Sequence, residues 1–320
     1  MTSTRRPLAT VVMPAYNAAR FIAQAVASVR RQTVADWELV IVDDGSTDDT
    51  GRIVSRIRDA RIRCIRTENR GPTAARNRGL TEARGEVVAF LDSDDVWFPQ
   101  KLAAQMDVFA REPEVGLVHT NVLFITEDGR RIRTGRGTLK RTPDGDCLDR
   151  IIVRNAVVTS TAAIRRSLLA RTGDFCPELR GPEDWDLRWR FAACSRFRYV
   201  PRVLAAYRVR KESVSTNLDV VEESCRRVIE RAFSHPEVRR RFAPARLKRL
   251  KRKAEAYYLY EAAKRALRAG ETSRAAAEAW RSVRCSLYDV RQAGLLLVAL
   301  GSKMPLAGRA FFQKAGRAES

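Results

Sequence analysis

Histidine is nearly absent from this chain of 320 residues, which contains only His119 and His235. A histidine-rich metal site is therefore excluded, and a Ser-His-Asp triad could use only one of these two residues. The six cysteines lie far apart and form no C-x-x-C pair, at positions 64, 147, 176, 194, 225 and 285. This spacing argues against a zinc site or a disulfide framework, and we expect reduced thiols.

Two glycine motifs that cradle phosphate are also missing. No G-x-G-x-x-G follows the first predicted strand, and no G-x-x-x-x-G-K-[ST] occurs anywhere in the chain. These absences exclude a nicotinamide-dependent dehydrogenase and a P-loop nucleoside triphosphatase. A bound nucleotide would instead have to be held through carboxylates and a metal ion.

Long apolar runs are lacking as well. The longest one near the end of the chain, Ala293 to Leu300, is far shorter than the ~20 residues that span a bilayer. The segment Met1 to Arg6 is basic and leads into a predicted strand rather than into the apolar region of a signal peptide. We therefore expect a cytoplasmic protein, with peripheral contact at the inner face of the plasma membrane as a further expectation.

Positive charge is abundant, with 51 Arg and 9 Lys against 38 acidic residues and a formal net charge of +22. Residues after 215 include 23 basic and 11 acidic side chains, so the last third of the chain carries more than half of the excess. A basic surface suits nucleic acid, anionic lipid or acidic substrates. Arginine-rich codon usage is the alternative explanation.

Apolar runs and helical periods alternate through the first 111 residues. Strands are predicted at 10–14, 37–42, 62–65 and 87–91, and helices at 21–32, from 47 or 48, at 72–84 and at 99–111. This alternation is typical of right-handed βαβ units, so the predicted fold class is α/β with a mainly parallel sheet flanked by helices.

The carboxyl ends of three predicted strands carry polar residues: Tyr16-Asn17, Asp43-Asp44 and Asp92-Ser93-Asp94-Asp95. Ligands of parallel sheets bind beyond these ends, so we expect the three clusters to converge. Neighbouring carboxylates repel unless a cation offsets their charge, and Mg²⁺ or Mn²⁺ holding a phosphorylated ligand would do so. An acidic strand-to-loop turn is the alternative.

The pattern changes after residue 115. A hairpin is predicted over 116–126, a mobile loop over 134–146, a strand over 157–164, and two closing strands at 197–200 and 203–207. The chain is predicted to be helical from about Asp219, with an antiparallel helix pair at 254–268 and 273–286. We therefore predict one domain at 1–215 and a basic helical region at 216–320.

Five sequence blocks together resemble the family 2 glycosyltransferases of the GT-A fold. In chain order they are Val12–Asn17, Val42–Asp48, Asn69-Arg70-Gly71 with Ala75–Gly79, Leu91–Asp95, and Glu183-Asp184. They extend over about 215 residues and leave the chain beyond Thr216 uncovered. Each block alone is weak evidence, but their order makes the match specific.

The resemblance implies a donor site for a nucleotide-diphosphate sugar, by family habit a UDP-sugar. The residues assigned to the donor nucleotide are Pro14, Ala15, Tyr16, Asn17, Asp43, Asp44, Arg76, Asp92 and Ser93. Asp44 would accept a hydrogen bond from the base, and Asp94 would bind a divalent metal, Mg²⁺ or Mn²⁺, that bridges the diphosphate. Asp95 receives no role.

The resemblance also implies that Asp184, paired with Glu183, is the base that activates an acceptor hydroxyl, with inversion at the sugar carbon. The alternative is a helix start enriched in acidic residues that suit the helix dipole. Trp185 is assigned to the acceptor as a stacking platform, and the alternative is a place in the helix core. Trp185 also occupies the glutamine position of the Q-x-x-R-W segment of processive relatives, so single addition is predicted.

Arg208 and Arg210 are predicted to clamp the diphosphate. Many relatives carry histidine where this chain has Arg210, and arginine cannot ligate a metal but can neutralise phosphate.

The implied function is sugar transfer to a glycan or lipid-linked acceptor in cell-surface polysaccharide or lipopolysaccharide assembly, without a nucleic-acid partner. Two alternatives stay open. One is a nucleic-acid or anionic-surface binding protein that uses residues 226–268, and the other is an inactive glycosyltransferase-like scaffold.

Overall fold

A computed structural model describes residues 6–132, 142–210, 218–285 and 294. The chain divides into two compact units. Unit 1 contains Met1–Leu148, Ala156–Pro177 and Asp186–Glu212, and unit 2 contains Asp149–Asn155, Glu178–Trp185 and Ser213–Ser320.

The eight strands found among the described residues belong to unit 1. They are β1 (Ala9–Ala15), β2 (Trp37–Asp44), β3 (Ile62–Thr67), β4 (Val87–Phe90), β5 (Val96–Trp97), β6 (Val115–Ile125), β7 (Ala163–Arg165) and β8 (Arg196–Arg208). They form one sheet in the order β3-β2-β1-β4-β7-β6-β8-β5. Strands β1 to β4 pair in parallel, as do β6 and β8, whereas β7 and β5 run antiparallel to their neighbours. The sheet is therefore mixed and mostly parallel, which confirms the predicted fold class.

Eleven α-helices occur in the described ranges. They are α1 (Ile22–Arg30), α2 (Thr50–Ser55), α3 (Pro72–Glu82), α4 (Lys101–Arg111), α5 (Leu148–Ile151), α6 (Leu169–Thr172), α7 (Glu183–Cys194), α8 (Leu218–Ser234), α9 (Pro236–Arg241), α10 (Pro244–Arg268) and α11 (Thr272–Cys285).

The centre of the sheet explains the apolar runs of the sequence. Every residue of β1 and β2 is buried. Parallel strands covered on both faces have continuous rather than alternating apolar sequences, because neither face meets water. Ile22, Val26 and Val29 of α1 pack into the same core, and their spacing is the helical period that the sequence displays.

Helix α3 lies unusually close to β1 because it carries Gly79 at the contact. A β-carbon added at Gly79 would lie 2.3 Å from Cγ1 of Val12, much closer than real atoms approach. The helix begins after Gly71, whose φ of 87° favours glycine. These two glycines set the position of α3 and thus of Arg76, which α3 carries.

Two local predictions in the second half of unit 1 were wrong. The segment predicted as a hairpin contains the long strand β6, which pairs with β7 and β8. Antiparallel pairing also crosses the turn that follows β6, because Ile125 forms a bridge with Arg131 and the N–H of Ile132 donates to the carbonyl oxygen of Phe124 at 2.8 Å. The predicted strand over 157–164 is mainly a 3₁₀ turn at Thr159–Thr161 followed by β7. The two predicted closing strands are one strand, β8, with irregular pairing near Val200 and Val203. The predicted loop at 134–146 lies largely outside the described residues.

Unit 2 is helical. Helices α10 and α11 form the predicted antiparallel pair, and Ser282 Oγ donates a hydrogen bond of 2.7 Å to the carbonyl oxygen of Ala256. Arg274 of α11 forms ion pairs with Asp219 at 2.5 Å and Glu222 at 3.2 Å, both on α8. Across the described part of the chain, no helix combines the length and apolarity that membrane crossing requires.

Candidate active site

The carboxyl ends of β1, β2 and β4 lie side by side at one edge of the sheet. Ala15 of β1 is in register with Asp43 of β2, and Val12 of β1 with Phe90 of β4. The polar residues that follow these strands therefore share one edge, as the sequence predicts. They form the candidate donor site.

The turn after β1 presents Tyr16 to solvent. Its side chain is among the few exposed large hydrophobic ones, at 48%. Asn17 has a φ of 47°, and its Oδ1 accepts a hydrogen bond of 2.9 Å from the backbone N–H of Thr47. The N–H of Asn17 in turn donates to Ser46 Oγ at 3.1 Å. These bonds fix the turn, whereas Pro14 and Ala15 are buried within β1.

The two carboxylates that end β2 are buried and organise the loops around them. Asp43 accepts hydrogen bonds from the N–H of Ser46 at 2.9 Å and from Arg66 at 3.2 Å. Asp44 accepts from the N–H groups of Arg70 at 3.0 Å and Gly71 at 2.8 Å. Asp44 thereby holds the start of α3, a contact that the sequence alone did not reveal.

Arg76 and Asp92 form an ion pair of 2.8 Å at the end of β4. Arg76 is mostly buried, while about a quarter of the Asp92 side chain is exposed. Because little water reaches the guanidinium, solvent screens the attraction between the two charges less than it would at the surface. The N–H of Asp92 also donates a hydrogen bond of 3.1 Å to Ser160 Oγ. Ser93, the next residue, is partly exposed. The structure thus brings together two residues that the sequence assigned to the donor.

Asp94 lies two residues further and is 23% exposed at its side chain. Burial and the negative charge of Asp92 raise the pKa of the Asp94 carboxyl, and Arg210, at 3.3 Å, opposes this rise. A divalent cation would relieve the repulsion between the two carboxylates. Arg210 is about one third exposed, so it contacts the acidic segment from the solvent side.

The acidic segment fits a metal ion that arrives with a phosphorylated ligand. No group of three His, Cys, Asp or Glu side chains within the described ranges could hold an ion by itself. Mg²⁺ is commonly bound through only one or two carboxylates, with substrate phosphate and water completing its shell. The partly exposed carboxylate of Asp94 would supply the hard oxygen ligand for such an arrangement.

Asp95, left without a role by the sequence, is a buried structural carboxylate. Ser160 Oγ donates a hydrogen bond to it, and the N–H of Arg208 donates another at 2.8 Å. Burial raises the pKa of Asp95 well above its usual range, and the charges of Asp92 and Asp94 raise it further. Asp95 therefore holds the acidic segment in place from the protein interior and is not accessible to a ligand.

Arg208 is also occupied by the protein, which corrects its predicted role as a diphosphate clamp. The residue is only 4% exposed. Its guanidinium donates to the carbonyl oxygens of Asp94 at 2.8 Å and Glu127 at 2.9 Å, and to Gln24 Oε1 at 2.8 Å. Because these donors are directed at protein acceptors, Arg208 supports the acidic segment. Of the two arginines, Arg210 is the one whose guanidinium is partly exposed, and its contact with phosphate stays a prediction.

Unit 2 carries the Glu183-Asp184 pair at the start of α7. Asp184 is partly exposed, and its Oδ1 accepts a hydrogen bond of 2.9 Å from Asn155 Nδ2. Glu183 is buried. Trp185 is 2% exposed, and its indole N–H donates to the carbonyl oxygen of Ile151 at 2.6 Å. We therefore assign Trp185 to the packing of unit 2 instead of acceptor stacking.

Buried His119 makes a pH-dependent contribution to stability. Burial lowers the pKa of its imidazole to about 4, against an ordinary value of ~6.5, and its Nε2 contacts the carbonyl oxygen of Pro143 at 2.7 Å. The unfolded state therefore binds a proton before the folded state does. The contribution is complete above pH ~6.5 and is lost as the pH falls toward 4.

We expect the free energy of unfolding to fall by about 2 kcal/mol between pH 7 and pH 5 through this residue alone. The variant His119→Gln, which keeps a donor for Pro143, should lack this part of the pH dependence. Urea denaturation of both proteins at the two pH values measures the difference. Parallel pH dependences would contradict the assignment.

Comparisons with known proteins identify the family and the fold. Residues 10–173 match the model of glycosyl transferase family 2. TuaG of Bacillus subtilis, named for teichuronic acid biosynthesis, is 34% identical over 221 residues, covering 66% of this chain and 83% of the relative. The β-1,3-glucosyltransferase WfgD of Escherichia coli, named for UDP-Glc and α-D-GlcNAc-diphosphoundecaprenol, is 41% identical over 105 residues, or 32% of this chain and 42% of WfgD.

Several other curated relatives match over a smaller share of their length, between 18% and 52%. Among solved structures, residues 1–349 of S. aureus TarS in complex with UDP-GlcNAc match with a TM-score of 0.67 at 18% identity, covering 98% of this chain and 92% of that one.

The mannosyltransferase PcManGT of Pyrobaculum calidifontis, in complex with GDP-Man and Mn²⁺, matches with a TM-score of 0.62 at 23% identity. The match covers 97% of this chain and 84% of PcManGT. At these identities the structural matches show the fold, and the family model with TuaG shows the family. The chain is a member of glycosyl transferase family 2 with the GT-A fold.

Proposed function

We propose that this protein transfers a sugar from a nucleotide-diphosphate donor to a hydroxyl group of a glycan or lipid-linked acceptor. The observation that carries the proposal is the acidic segment Asp92–Asp95 at the sheet edge. Two partly exposed carboxylates face an arginine each, while the third is buried beneath them. This arrangement favours a binding site for a metal-bound diphosphate over a simple acidic turn. An acidic turn in solvent would not need a buried carboxylate such as Asp95 to hold it in place.

The donor nucleotide would lie between the turn after β1 and the acidic segment. The exposed ring of Tyr16 offers a face on which a base can stack. Asp44, although engaged with two backbone N–H groups, would supply a remaining lone pair to the base. Since WfgD and the TarS complex are named for UDP-sugars, we propose a uridine donor.

Asp94 would hold the divalent metal, with Asp92 toward the ribose or sugar. The metal, when bound, would stabilise the negative charge of the departing diphosphate. Arg210 would add a charge-assisted hydrogen bond to the same phosphate. Arg76 would hold the carboxylate of Asp92 in position through their ion pair at 2.8 Å.

Asp184 would accept the proton of the acceptor hydroxyl, which is a poor nucleophile at neutral pH. Its hydrogen bond with Asn155 orients the carboxylate, and Glu183 would support the same helix start. Attack on the face opposite the diphosphate would invert the sugar carbon. A single addition per acceptor, in polysaccharide assembly at the cell envelope, fits the names of TuaG and WfgD.

The test is a thermal-shift panel of nucleotides and nucleotide sugars with and without Mn²⁺. A ligand that binds only the native state raises the melting temperature in proportion to its affinity. We expect uridine diphosphate and UDP-sugars to stabilise the protein, and Mn²⁺ to increase the effect. No stabilisation by any nucleoside diphosphate would overturn the proposal in favour of an inactive scaffold.

Tyr16 provides a sharper version of this test. The variant Tyr16→Ala should lower donor affinity roughly fivefold to a hundredfold, because stacking on an aromatic ring contributes about 1–3 kcal/mol per base. The matched variant Tyr16→Phe keeps the ring and should bind the donor nearly as well. Equal losses in both variants would show that the hydroxyl, rather than the ring, contacts the donor.

A further inference from the structure

The segment 236–253 of unit 2 is strongly basic. It contains nine Arg and Lys residues and a single acidic one, Glu237. It comprises α9 and the first part of α10. Such a density of one charge is costly for the folded state, since like charges repel, and it calls for a partner or for free solvation.

Four cations of α10 share one exposed face: Lys248, Arg249, Arg252 and Lys253. Arg249, Arg252 and Lys253 follow Lys248 by one, four and five positions, so the four side chains lie close together on the helix. None of the four makes an ion pair or a side-chain hydrogen bond with a residue in the described ranges, whereas Arg246 nearby pairs with Asp149 at 2.9 Å. Their charges are thus available to an external anion.

The remaining exposed residues of this segment identify the kind of partner. Apart from the charged side chains, they are only alanine and proline, at positions 236, 243, 244 and 245. The segment exposes no aromatic ring on which a base could stack and no amide or hydroxyl that could read one. It also exposes no large apolar side chain for insertion into a bilayer core. A partner that offers only a dense layer of negative charge matches this surface.

We propose that the exposed face of α10, with α9 beside it in the chain, docks on an anionic phospholipid surface through charge alone. The choice of a bilayer over nucleic acid rests on the proposed function, because a lipid-linked acceptor is presented at a membrane. Each Lys or Arg near an anionic bilayer strengthens binding by roughly fivefold. The contact is weakened by salt, because the charges remain solvated and screened.

The test is co-sedimentation of the full chain with vesicles of phosphatidylcholine alone and of phosphatidylcholine mixed with phosphatidylglycerol. Binding is expected only to the mixed vesicles and should fall steeply as salt is raised. The variant K248Q/R249Q/R252Q/K253Q should bind the mixed vesicles about six-hundredfold more weakly, because each of the four charges contributes roughly fivefold.

The matched control is R31Q/R56Q/R58Q/R171Q. It removes four exposed arginines of unit 1 whose side chains likewise form no ion pair or hydrogen bond with another described residue. It changes the net charge equally and should retain most of the binding. Equal losses in both variants would overturn the proposal, because total charge rather than this face would then be responsible. Tighter binding to duplex DNA than to mixed vesicles at equal ionic strength would also overturn it.

The panel of nucleotides separates this proposal from the enzymatic one. Both variants should keep the donor-induced rise in melting temperature, because none of the substituted residues belongs to the donor site. Loss of vesicle binding with an intact donor response supports the docking surface. Vesicle binding by a protein that no nucleotide stabilises would instead leave the docking surface standing and refute the transferase.

Discussion

Replacement of Asp184 by asparagine is expected to lower the turnover number for sugar transfer between about a hundredfold and ten-thousandfold. Asparagine has nearly the same shape and can still accept the hydrogen bond that Asn155 donates at 2.9 Å. It cannot take a proton from the acceptor hydroxyl. The rate of nucleoside diphosphate release in the presence of an acceptor measures the loss, and the donor-induced rise in melting temperature should be unchanged.

Two further variants control this experiment. Asp219→Asn removes an exposed carboxylate of the same unit and should leave transfer unaffected. Asn155→Ala should reduce transfer less than Asp184→Asn does, because it loosens the carboxylate without removing it. If Asp184→Asn kept transfer within threefold of the unmodified protein, another group would have to be the base. A loss of donor binding in the same variant would point to a structural defect instead.

Arg208→Lys should lower the free energy of unfolding by about 2–4 kcal/mol. The guanidinium satisfies buried carbonyl oxygens of Asp94 and Glu127 together with Gln24. An ammonium group cannot reach all of them at once, and each buried acceptor left unpaired costs about 1–3 kcal/mol. Urea denaturation measures the change. Donor affinity should fall as well, since the backbone of Asp94 loses its support.

Arg210→Lys is the matched control two residues away. Its guanidinium is about one third exposed and, among the residues that the structure describes, donates a hydrogen bond only to the carboxylate of Asp94. We expect a stability change within about 0.5 kcal/mol and a moderate loss of donor affinity. If Arg208→Lys were as stable as Arg210→Lys and lost donor affinity equally, Arg208 would contact the diphosphate after all.

The first half of the fold follows from the sequence for physical reasons. Strands β1, β2 and β4 are buried on both faces, so they appear as continuous apolar runs, and α1 carries a clear helical period. Parallel pairing then brings Tyr16, Asp44 and Asp92 to one edge. Such local signals act over a few residues, and they sufficed to locate the candidate donor site.

The second half depends on contacts between distant residues. Strand β7 has only three residues and is defined by its neighbours β4 and β6, so no periodic pattern marks it. Ser160 and Arg208 hold Asp95, yet each is an ordinary polar residue in its own segment. The burial of Trp185 likewise depends on Ile151. The one signal in the sequence was the abrupt change from an apolar strand to acidic residues at Asp92. It indicated that buried contacts must hold these carboxylates.

The hydrogen bonds of Arg208 have a consequence for the order in which the protein folds during synthesis. They join residues 113 and 184 positions apart in the chain. Emerging residues up to 173, which include the whole family match, still lack this arginine. Asp95 then has the hydroxyl of Ser160 but no N–H donor from β8, and the carbonyl oxygen of Asp94 lacks the guanidinium that Arg208 supplies. We therefore expect nucleotide binding to arise late on the ribosome, only after β8 has left the exit tunnel.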